Sequence, residues 1–188
     1  QNPVSEEWHK NLWHPFTQIN TSQPPHRILN ADGAVLFRED GSKIIDAISS
    51  WWVTLHGHSN PYIAKAIYEQ AKQLEQVIFA DFTHSPAEKL AERLSEATGL
   101  QKLFFSDNGS TAVEVAIKMA LQWWYNQGEH RQQIIAFTGA YHGDTFGAMA
   151  VCYPVTGMHQ LFRDTLPQHL FAPAPPAGFE RACTTMDL

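Results

Sequence analysis

An alternation running through the second half of the chain limits its fold more than any other feature. Short apolar runs take turns there with longer stretches whose apolar residues recur at three- and four-residue spacing. Residues 102–106 (KLFFS) predict a strand, and Asn108-Gly109 a turn. From Ser110 to Gln127, apolar residues at helical spacing lead to Gly128, which predicts a helix. Residues 133–138 repeat the strand signal, and a loop with Gly139, Gly143 and Gly147 precedes another apolar segment ending at Val151. A β-α-β-α order of this kind predicts an α/β fold, mostly a parallel sheet covered by helices. Its right-handed crossovers bring every loop that follows a strand to one edge.

The first half reads differently. Residues 34–49 carry Asp40-Gly41 between two apolar runs, which predicts a β-hairpin. Asn60-Pro61 then opens a helix with Ile63, Ala66, Ile67, Ala71 and Leu74 on one stripe, Asn60 as its cap and Pro61 in its first position. A second helix is expected from the Ser85…Glu88 capping box to Gly99. The tail at 172–178 is rich in Pro and Ala. No further element is expected beyond it, and the chain reads as cut rather than finished.

Charge and composition remove several function classes. Thirteen Lys and Arg against nineteen Asp and Glu give a net charge of −6, and no basic run is present. A sequence-independent grip on nucleic-acid phosphates or an anionic membrane is therefore not expected. Cys152 and Cys183 lie far apart without CxxC spacing, so neither a disulfide framework nor a zinc site is expected. Residues 1–10 are polar and acidic, and no apolar stretch has the length of a membrane span, so a cytoplasmic location is the expectation.

Two motifs carry chemistry. In SDNGSTAVE, Gly109 and Ser110 stand where a strand passes into a helix, so unpaired backbone N–H groups and the positive helix end can hold an anion such as phosphate. The competing reading is that Asn108 or Ser110 only caps the helix. In GAYHGDTFGA, Tyr141 sits on a Gly-flanked loop after the next strand, at the same sheet edge, and offers a flat face to a planar ring. A tyrosine packed under its own loop is the alternative. Trp51 and Trp52 follow the hairpin in a Gly- and His-rich stretch, where extended backbone would turn them to opposite sides, leaving at most one for a ligand. His56 and His58 form an HxH without a carboxylate or Cys at ligand spacing, and no metal site is expected there.

With these segments in view, the chain resembles the class III aminotransferases. LWHPFTQ at 12–18, DGSKIIDAISSWW at 40–52, SDNGSTAVEVAIKMALQWW at 106–124, YHGDTFGAMAV at 141–151 and LFAPAP at 170–175 follow the family's order and spacing. HPFTQ together with SSWW is similar to the branch that moves an amino group from S-adenosyl-L-methionine to 8-amino-7-oxononanoate, giving 7,8-diaminononanoate for biotin. The resemblance implies a fold type I, pyridoxal 5'-phosphate-dependent homodimer acting on those two small molecules. It implies residues 1–59 as part of the small domain and substrate pocket, and 60–188 as the first part of the large cofactor-binding domain. It places Gly109 and Ser110 on the cofactor phosphate, Tyr141 against the pyridine ring and substrate, and Trp51 and Phe16 in the substrate pocket. Some members of the branch carry a tyrosine at Phe16, so that hydroxyl contact is missing here. No residue of this chain is assigned as catalytic. The family's lysine, its ring-nitrogen carboxylate and its substrate arginine are expected beyond residue 188, and Lys118 matches none of them. Another class III transaminase, acting on ω-amino acids, and a non-catalytic fragment are the alternatives.

Overall fold

The computed structural model describes residues 11–153 and 158–175. The polar segment 1–10, Cys183 and the tail beyond Pro175 lie outside the described residues. The chain divides into two compact units, Gln1–His84 and Ser85–Leu188.

In the first unit the hairpin forms as the sequence predicts. β1 (Ile28–Asp32), β2 (Val35–Arg38) and β3 (Lys43–Ile45) make an antiparallel sheet in that order, with Leu36 opposite Ile44. Asp40 shapes the turn between β2 and β3 by accepting the Ser42 N–H at 2.9 Å and the Ser42 hydroxyl at 2.6 Å, so these bonds hold its carboxyl below the usual range. β1, which the sequence reading did not foresee, carries a register irregularity between Ile28 and Asn30. The chain next makes one short turn, α1 (Ser49–Trp52), and then α2 (Pro61–Gln73). The Asn60 side chain accepts from the Tyr62 and Ile63 amides, and Pro61 occupies the first turn, as the sequence required.

The second unit holds α3 (Ser85–Thr98), α4 (Gly109–Asn126), β4 (Ile135–Phe137), α5 (Phe146–Ala150), a 3-10 helix at Met158–Thr165 and β5 (Leu170–Ala172). Gly99 ends α3 in the left-handed region at φ +72, its N–H bonded to the Ser95 carbonyl at 2.8 Å. β4 and β5 pair in parallel, Ala136 opposite Phe171. Such pairing needs a crossover, and α5 with the 3-10 helix lies within it. The buried residues cluster there: Met149, Ala150 and Leu166 touch one another.

One expectation is corrected. Residues 102–106 form no strand, because ladder bonds to a neighbour define one and, among the described residues, no strand runs beside this segment. In the other direction, β5, just ahead of the Pro/Ala-rich tail, is a strand that the sequence pattern did not indicate. Its only signal is a partner 35 residues earlier in the chain, and Phe171 packs edge-on against Tyr153 at 5.8 Å between centroids.

Many large apolar side chains remain exposed, among them Leu100, Phe104, Ile67 and Trp123. Apolar surface on this scale normally seeks a partner. The 188-residue chain on its own is expected to bind a hydrophobic dye such as ANS and to self-associate with rising concentration. A monomeric sedimentation profile without dye binding would contradict this.

Candidate functional site

The first turn of α4 is built to leave two donors open. Asn108 and Thr111 form a reciprocal capping box: the Asn108 side chain accepts the Thr111 N–H at 2.9 Å, and the Thr111 hydroxyl accepts the Asn108 N–H at 3.1 Å. The first intrahelical bond runs from Ala112 N–H to the Asn108 carbonyl at 3.0 Å. The amides left between them belong to Gly109 and Ser110, at the positive end of an 18-residue helix. Apart from its chain neighbours and the helix's own backbone, no described atom lies within 4 Å of where a Gly109 side chain would stand. The capping reading holds for Asn108, whose bonds take up the Thr111 amide and leave those of Gly109 and Ser110 without a partner among the described residues. That donor set fits a phosphate.

The loop carrying Tyr141 is fastened to this turn. The Ser110 Oγ accepts the Thr145 N–H at 2.9 Å and shares a proton with the Thr145 hydroxyl at 2.8 Å. One helical turn on, Glu114 accepts the Gly147 N–H at 2.6 Å and the Ala148 N–H at 3.2 Å, at the start of α5. The Thr145 hydroxyl, followed by these amides, holds the Glu114 carboxyl below its usual range. Gly143 is needed at this contact: its φ is +132, and a Cβ there would lie 2.8 Å from the Ser110 Cα.

Tyr141 is 62% exposed and is not packed beneath its own loop. Its hydroxyl donates to Asp144 at 3.0 Å, and this bond raises its pKa above that of an ordinary phenol. Asp144 also accepts from His159 Nε2 at 2.7 Å, and the His159 ring stacks on Tyr141 with centroids 5.9 Å apart.

The other candidates, Phe16 and Trp51, lie in the first unit. Their rings meet edge to face at 5.7 Å. The backbone at the tryptophan pair is not extended, as the sequence reading supposed. Ser49, Ser50, Trp51 and Trp52 all have positive φ, between +46 and +67, and form a left-handed turn that L-residues resist. Asp46 holds this turn: its carboxylate accepts the Ser50 N–H at 3.0 Å, the Ser50 hydroxyl at 2.7 Å and His58 Nε2 at 2.7 Å. His58 is thereby committed to a carboxylate. Both indoles are exposed, Trp52 at 75% and Trp51 at 56%.

The sequence reading thus named Gly109, Ser110 and Tyr141, and missed Asp46, Glu114, Asp144 and His159. Glu114 follows Ser110 by four residues, on the same helix face, a spacing that could have flagged it. Nothing comparable marks His159.

Two measurements follow. Asp46 has its pKa lowered from 3.8 to about 2, first by the Ser50 amide and then by His58, so the stability it contributes is present above pH 3.8 and is lost as pH falls toward 2. Acid unfolding followed by tryptophan fluorescence is expected to show a transition in that window, and Asp46→Asn is expected to remove its pH dependence. Gly143→Ala is expected to destabilise the second unit by about 1–3 kcal/mol through overpacking, measured by denaturant melts.

Comparisons with known proteins identify the family. Residues 17–184 match the family model "Aminotransferase class-III". The adenosylmethionine-8-amino-7-oxononanoate aminotransferase of Synechococcus elongatus is 51% identical over 166 residues, covering 87% of this chain and 38% of that protein. The crystal structure of the enzyme of that name from Methanocaldococcus jannaschii superposes with a TM-score of 0.83 at 35% identity, covering 95% of this chain and 41% of that one. An amine transaminase from an uncultivated Pseudomonas species, in its PLP-bound form, superposes with a TM-score of 0.75 at 28% identity over 88% of this chain and 39% of that one. The chain spans about two fifths of the length of these relatives, in the same mixed α/β arrangement. With a family model matching residues 17–184, the chain belongs to the class III aminotransferase family.

Proposed function

We propose that this chain is the N-terminal part of a pyridoxal 5'-phosphate-dependent aminotransferase of fold type I that transfers the amino group of S-adenosyl-L-methionine to 8-amino-7-oxononanoate. The observation carrying the cofactor assignment is the capping box that satisfies Asn108 and Thr111 and leaves the Gly109 and Ser110 amides for a phosphate. The substrate assignment rests on the likeness to relatives bearing that activity in their names, and on the HPFTQ and SSWW segments. When bound, pyridoxal phosphate supplies the electron sink that amino transfer needs. Gly109 and Ser110 orient its phosphate, and Tyr141 presents a ring face whose hydroxyl proton is held toward Asp144. Trp51, in edge contact with Phe16, lines the substrate pocket. Residues 1–59 belong with the small domain and 60–188 begin the large one. The catalytic lysine comes from polypeptide beyond this chain, in a cytoplasmic homodimer.

The test is a donor screen on the full-length protein. 7,8-Diaminononanoate is expected with S-adenosyl-L-methionine as donor, and turnover confined to ω-amino acids would place the protein in another branch of the family. Ser110→Asp is expected to weaken pyridoxal phosphate binding at least about tenfold by setting a carboxylate against the phosphate. An unchanged spectroscopic titration would remove the phosphate assignment.

A further inference from the structure

Taken as a whole residue, His159 is the one buried polar residue among the described residues, at 7% exposure. It lies in the 3-10 helix between α5 and β5, outside the sequence segments that carry the family likeness. Burying an imidazole is unfavourable unless its nitrogens find partners, so what it bonds to is informative. Its Nε2 donates to Asp144 Oδ1 at 2.7 Å, while Asp144 Oδ2 accepts the Tyr141 hydroxyl at 3.0 Å. One carboxylate thus joins a buried donor to an exposed phenol. The imidazole also stacks on the phenol at a 23° interplanar angle. Asp144 is itself about half exposed, so without His159 one of its oxygens is free to turn to water and the direction of the Tyr141 O–H is no longer fixed.

We infer that His159 is a positioning residue for Tyr141, acting through the Nε2 bond to Asp144 and backing one face of the phenol ring. This rests on the reading that Tyr141 meets the pyridoxal ring. The role belongs to one particular nitrogen, which separates it from general packing. A glutamine places its amide nitrogen where Nε2 stands, whereas asparagine reaches only as far as Nδ1.

The test compares His159→Gln with His159→Asn in the full-length protein. Two quantities are read: the dissociation constant of pyridoxal phosphate from its absorption titration, and, in the cofactor-free protein, the ζ-carbon resonance of Tyr141 after 13C-tyrosine labelling, assigned by its loss in Tyr141→Phe. His159→Asn is expected to shift the Tyr141 resonance and weaken pyridoxal phosphate about tenfold, the size of effect typical for losing a hydrogen bond to a charged group. His159→Gln is expected to restore most of both. If both variants match the wild type, or both lose equally, the Nε2 bond does not position Tyr141 and the inference is overturned. Should wild-type protein itself fail to bind pyridoxal phosphate, the cofactor reading fails, while the Tyr141 resonance still decides whether His159 sets the phenol.

Discussion

The contact on which the second unit's site depends is the one between the first turn of α4 and the loop 143–148. Ser110 has its backbone N–H at the open helix end and its side chain bonded to Thr145, so one residue ties the helix end to the loop. Glu114 repeats the attachment one turn later, where its negative charge meets the N-terminus of α5. Gly143 and Gly147 are small for the same reason: at either position a Cβ would collide with the α4 side chain that makes the bond. Helix end and aromatic loop are therefore joined through two α4 side chains, Ser110 and Glu114.

In the first unit a carboxylate has the organising part. Asp46 leaves β3 and gathers Ser50 and His58, from the turn and the strand-like segment after it. Gly57 permits that closeness, since a Cβ there would lie 3.0 Å from the Gly33 Cα, and the Gly33 and His58 backbones exchange two hydrogen bonds at 3.2 and 2.8 Å. The HGH triplet thus has a structural explanation in backbone pairing and a carboxylate partner.

Features set by nearby residues were legible in the sequence. The Asn60-Pro61 start of α2, the Gly99 and Gly128 helix ends and the Asp40-Gly41 turn each depend on chemistry within a few positions. Long-range pairing was not legible. β5 is a strand only because β4 lies beside it, and 102–106 is not one for want of a neighbour, although its composition is the more strand-like of the two. The site divides the same way. Gly109, Ser110 and Tyr141 sit in motifs that announce themselves, whereas His159 is defined by a carboxylate 15 residues earlier, and a lone histidine in TGMHQ carries no spacing signal. The left-handed backbone at Trp51 was invisible because none of its four residues is a glycine.

That turn has a consequence for engineering. L-residues in left-handed conformation cost roughly 1–2 kcal/mol each, so Ser49–Trp52 is a local reservoir of strain that the Asp46 bonds help to hold in place. Glycine tolerates such angles freely, which makes Ser49 a place where thermostability can be gained without altering either indole.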